Sequence, residues 1–88
     1  MLKKEKSWRY QVVYIQNNES FEYSICEVYL DEFDKLEAWT NNFTISPYGD
    51  SHQELIGDLQ IMLEDVKKWK PVNFNELKFG MVFQEQEK

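Results

Sequence analysis

Between Trp8 and Trp69 the hydrophobic pattern changes period once, from two to about 3.6. The run Trp8-Arg9-Tyr10-Gln11-Val12-Val13-Tyr14-Ile15 is rich in aromatic and β-branched residues and alternates at its start, which predicts a strand from Trp8 to Gln16. Asn17-Asn18-Glu19-Ser20 supplies turn chemistry, because asparagine tolerates left-handed backbone angles, so the next run folds back. In that run Phe21, Tyr23, Ile25, Glu27 and Tyr29 point to one side and Glu22, Ser24, Cys26, Val28 and Leu30 to the other. Asp31-Glu32-Phe33-Asp34-Lys35 reads as a hairpin loop, and Leu36-Glu37-Ala38-Trp39-Thr40 as a short third strand. Pro47 and Gly49 mark residues 41–49 as the loop that carries the chain across to a helix.

Over that helix Leu55, Leu59, Met62, Val66 and Trp69 recur at spacings of four and three, and Ile56 and Leu63 widen the stripe, which is expected to cover the sheet. Ser51 followed by Glu54 is a capping box: the serine oxygen accepts from an orphan backbone N–H and the glutamate reaches back to another. Early acids Glu54 and Asp58 and late bases Lys67, Lys68 and Lys70 suit the helix dipole, and Pro71 ends the ladder. Gly57, costing about 1 kcal/mol against alanine within a helix, is read as allowing close approach to a strand. Beyond Pro71, Phe74 and Leu77 have the character to pack under the sheet edge. Leu77, Phe79, Met81 and Phe83 alternate as a short strand would, and Glu85-Gln86-Glu87-Lys88 is expected to fray.

The expected fold class is therefore α+β, a three-stranded antiparallel β-meander packed by one long amphipathic helix (β-β-β-α), with a C-terminal extension able to add a strand or a 3-10 turn. The expected organisation is a flexible N-terminal arm (1–7), one domain (8–77) and a C-terminal tail (78–88). Eighty-eight residues leave room for a single modest core. Aromatics at 16%, with three glycines and two prolines, argue for a folded chain rather than a disordered one.

Charge changes the picture of partners. Residues 1–20 carry Lys3, Lys4, Lys6 and Arg9 against Glu5 and Glu19, a formal +2, so the remainder carries −8 to reach the total of −6. The only basic cluster is a short arm, which argues against nucleic-acid binding. No apolar run approaches the ~18 residues of a membrane span, and a lone Cys26 excludes an internal disulfide and points to a reducing cytoplasmic setting. Two N-x-S/T matches, at Asn18 and Asn42, then read as chance.

Candidate chemistry is sparse. One histidine and one cysteine cannot make a zinc site of the usual kind, and isolated glycines give no phosphate loop, so neither cofactor nor metal is expected. Asp50, His52 and Glu54 are explained by helix capping. Cys26, His52 and Glu27 are the groups an enzyme would use, but nothing else resembles a catalytic motif, and free cysteine is usually a small core residue. Glu27, in register with Phe21, Tyr23, Ile25 and Tyr29, needs a partner; an outward face with Arg9 across the sheet is the simplest one.

Gly49-Asp50-Ser51 followed by Glu54, with Trp69 near the helix end, resembles the single-domain HicB-like antitoxin fold. Trp8-Arg9-Tyr10, Cys26-Glu27-Val28-Tyr29, Trp39-Thr40, Glu54-Leu55, Asp58-Leu59, Met62-Leu63 and Lys70-Pro71-Val72 are similar, in their order, to a family of short bacterial proteins without assigned function. That likeness spans about residues 8 to 77. It implies the sheet-and-helix fold and, from the HicB-like side, the blocking of a small RNase toxin. The expected function is a non-enzymatic protein-interaction module that binds a protein partner or a second copy of itself by an open sheet edge or an apolar tail. The alternatives are an antitoxin-like inhibitor of a basic RNase and, less favoured, a small enzyme. Glu27, Tyr29, Trp39, Leu77, Phe79, Met81 and Phe83 are the candidate partner-binding residues.

Overall fold

The computed structural model describes residues 7–40 and 46–87. The expected N-terminal arm lies outside them except for Ser7, which opens the first strand. Strands β1 (Ser7–Asn17) and β2 (Ser20–Leu30) form a long antiparallel hairpin in which Tyr10 faces Glu27 and Val13 faces Ser24. Asn18 takes φ 56° in the turn, the left-handed region that asparagine tolerates. Strand β3 (Leu36–Trp39) returns antiparallel to β2, and between them the Asp31 carboxylate accepts from the N–H groups of Phe33 and Lys35 at 2.8 and 3.0 Å. Helix α1 (His52–Lys68) follows, and the extension adds both a two-residue strand β4 (Val72–Asn73), parallel to β1 at Val13 and Tyr14, and a 3-10 turn (Phe74–Glu76). The sheet order is β3-β2-β1-β4, an α+β chain of the β-β-β-α kind with a C-terminal extension.

Strand alternation divides the core. Val13, Cys26, Val28, Leu30 and Leu36 make one apolar face, and Leu77 and Phe83 of the extension close it, with Trp39, Trp69, Val72, Phe74 and Met81 at its margin. The other face of β1 carries Tyr10 and Val12, both buried; α1 packs against β1 and buries Met62. Because the extension occupies one face and the helix lies along a single strand, the apolar stripe of α1 is only half covered. Leu59 is 47% and Leu63 55% exposed, where the whole stripe was expected to lie on the sheet.

Local chemistry explains both helix ends. Ser51 Oγ accepts from Glu54 N at 3.1 Å, and the Glu54 carboxylate accepts from Asp50 N at 3.2 Å, one residue before the N–H that an ideal capping box would reach. At the other end Trp69 leaves helical angles (φ −103°, ψ 137°). Gln86 donates its amide to the carbonyls of Val66 and Lys67, each at 3.2 Å, and its backbone N–H to Lys68 O at 2.8 Å. These bonds hold residues 84–86 in place, so the expected fraying from Glu85 onward does not hold for Glu85 and Gln86; Lys88 lies outside the described residues.

Two further expectations are corrected. Leu77, Phe79, Met81 and Phe83 do not share one strand face, because Gly80 (φ 84°) turns the chain, with Met81 N donating to Lys78 O at 3.3 Å. Leu77 and Phe83 point inward while Phe79 is thrown out, 76% exposed. Gly57 does not serve a close approach: a methyl group built on it meets nothing within 4 Å.

Candidate functional site

Glu27 sits mid-strand on the face that carries Tyr10, and its carboxylate accepts a short hydrogen bond from the Tyr29 hydroxyl two residues along the same face. That bond to a carboxylate holds the Tyr29 hydroxyl above the ordinary tyrosine range. Arg9, the expected partner, is opposite Val28, not Glu27, so alternation sends its side chain to the other face of the sheet. There its guanidinium stacks 3.9 Å from the Trp69 ring centre and 4.8 Å from that of Phe83. Its Nη1 donates to Tyr10 O at 3.0 Å and to Gln11 Oε1 at 2.7 Å. Gln11, fully buried, spends its amide N–H groups on Val12 O and Lys70 O, both at 2.9 Å, which ties β1 to the chain leaving the helix. Burial lowers the Arg9 pKa to about 10, with Asp65 opposing the shift.

Cys26, Glu27 and His52, the groups named for the catalytic alternative, are spread over opposite faces of β2 and the start of α1. Cys26 is fully buried, and burial pushes its thiol up to about 11, away from the thiolate a nucleophile needs. His52 is exposed on the first turn of α1, and no hydrogen bond joins it to Cys26 or Glu27 among the described residues. Among those residues no group of three or more His, Cys, Asp or Glu side chains could hold a metal ion.

The seven partner-binding candidates fall into separate places. Glu27 and Tyr29 lie together on the β2 face beside Tyr10. Trp39 and Phe79 stack at 5.4 Å between ring centres at the β3 side. Met81 is half-buried, and Leu77 and Phe83 are core residues that a partner cannot touch in this conformation. The sheet edges expected to be open are partly occupied. Leu36 on β3 donates to Met81 O at 2.9 Å and accepts from Gly80 N at 2.8 Å. On the β1 side β4 pairs at Val13 and Tyr14, and Tyr10 N donates to the Asp65 carboxylate at 3.1 Å.

What the sequence reading missed is the surface left by half-covered elements. Along α1, Ile56, Leu59 and Leu63 follow one side of the helix at spacings of three and four and are exposed. At the hairpin tip Phe21 and Tyr23, 50% and 64% exposed, lean on Tyr14 at 5.7 Å each. The helical spacing carried the signal, but which half of a wide stripe is covered depends on where the extension goes. Within the described residues no helix is long and apolar enough to cross a membrane. Comparison with protein-family models, with curated proteins and with solved structures finds no match.

Proposed function

We propose that this chain is a non-enzymatic protein-interaction module that associates with a second copy of itself through the uncovered half of its helix. One observation carries the reading. Ile56, Leu59 and Leu63 form an exposed apolar row on an otherwise well-capped helix, and burying such side chains contributes about 1.5–3 kcal/mol each. A helix-to-helix contact is self-complementary under two-fold symmetry, so a single row can serve both protomers. Sedimentation equilibrium of the wild-type chain and of a Leu59→Ser, Leu63→Ser variant tests it. A wild-type dimer that the variant converts to a folded monomer supports the proposal, and a wild-type chain that stays monomeric over the accessible concentration range sinks it.

A second reading has its own support in the −8 carried by residues 21–88. An acidic surface steers a basic partner and speeds its encounter, as an inhibitor of a small basic RNase requires. Stoichiometric capture of such a nuclease, with loss of its activity, would favour that reading over self-association.

A further inference from the structure

The opposite face of the sheet holds a feature that the interaction surface does not use. A cavity of about 400 Å³ opens where the start of β1, the end of β2 and residues 82–85 meet, walled by Arg9, Lys68, Trp69, Phe83, Leu30 and Val82, with Ser7, Asp34 and Glu85 at its rim. Arg9 is the unusual wall. Its Nη1 is engaged by Tyr10 O and Gln11 Oε1, while Nε and Nη2 are buried and have no hydrogen-bond partner. Leaving charged donors buried and unmet is costly, and native structures rarely do so without a reason. Nε and Nη2 form one edge of the planar guanidinium, the fork that meets the two oxygens of a carboxylate through parallel N–H···O bonds. The ring of Trp69 and the bonds made by Nη1 fix the plane of that fork before any ligand arrives.

We propose that this cavity is a binding site for a small monocarboxylate with an apolar body, the carboxylate on the Nε–Nη2 edge of Arg9 and the body against Leu30, Val82 and Phe83. Two features choose the ligand class. Lys68 adds a second cation to the wall, which favours an anion. Glu85 also borders the cavity, and its carboxylate repels a doubly charged phosphate more than a singly charged acid. Both free donors are shielded from solvent, so the carboxylate reaches them only with a rearrangement of the residues around the guanidinium.

The test uses N-acetyl-leucine and its neutral isostere N-acetyl-leucinamide, titrated into the wild-type chain and followed by the NMR signals of Arg9 Nε–H and Trp69 Nε1–H. Saturable shifts with the acid and none with the amide support the proposal. Equal responses, or no saturable shift with the acid at millimolar concentration, overturn it, and tighter binding of inorganic phosphate overturns the ligand class. Arg9→Lys, which keeps the charge but loses the fork, is expected to weaken the acid by about tenfold or more. Should that variant fail to fold, the contrast between acid and amide on the wild-type chain decides alone.

Discussion

A methyl group added at Gly57 meets no atom within 4 Å, whereas one added at Gly49 would lie 2.3 Å from Leu55 N. Gly57 pays the entropic cost of glycine in a helix without any packing return, so Gly57→Ala is expected to stabilise the chain by about 1 kcal/mol. Gly49→Ala forces the loop backbone off the helix start and is expected to destabilise by about 1–3 kcal/mol; urea unfolding of the two variants checks both signs. Tyr10 offers a pH test. Its hydroxyl donates to Asp58 at 2.7 Å, and burial first, then that carboxylate, raise its pKa above the ordinary 10.0. The folded state thus holds the phenolic proton more tightly than the unfolded chain. The stability this contributes is complete below pH 10 and falls as pH rises from there through the folded-state value. Tyr10→Phe is expected to cost about 1 kcal/mol at neutral pH, and the gap to wild type should close above pH 10. A gap independent of pH up to the alkaline limit of folding would refute the linkage.

The hairpin and the helix were legible because each repeats its pattern many times. Strand alternation from Trp8 to Leu30 and the helical stripe from Leu55 to Val66 both give several votes for one period, and Ser51 with Glu54 marks the helix start in chemistry the structure keeps. That the extension adds a strand or a 3-10 turn was legible, but its course was not, since β4 has two residues and residues 77–83 change direction at one glycine; the apparent alternation of Leu77, Phe79, Met81 and Phe83 was a coincidence of spacing. The Arg9 site escaped for a related reason. Parity along β1 was readable, but the rings that stack on Arg9 come from Trp69 and Phe83, and their arrival depends on the course of the extension. Alanine at Phe83 and at Phe79 separates their roles. Removing Phe83 opens a cavity in the closed face and is expected to cost about 3–5 kcal/mol. Removing Phe79, whose contact is the exposed stack on Trp39, should cost under about 1 kcal/mol. Similar losses for the two would mean that the extension does not close the core as described.

Charge gives the two readings of function opposite responses to salt. Each copy carries −6, so a homodimer built on the apolar row of α1 brings two like-charged bodies together, and electrostatics oppose it at every separation inside the screening length. Raising sodium chloride from about 0.1 M to 1 M shortens that length from about 10 Å to 3 Å and relieves the repulsion, while the contact between Ile56, Leu59 and Leu63 is not weakened. Self-association should therefore tighten with salt. Capture of a basic nuclease runs the other way, since its encounter draws on attraction between the −8 of residues 21–88 and a positive active site, and screening removes that steering. The partial covering of both sheet edges, by Gly80 and Met81 beside Leu36 and by β4 beside Val13, disfavours a third route in which copies add strand to strand and grow without closing. Sedimentation of the purified chain across the salt range tests the first reading, and the same series with the nuclease added tests the second. A closed dimer that strengthens with salt supports an apolar interface such as the helix row, and a dimer that dissociates on adding salt shows that charge, not the exposed row, holds the copies together.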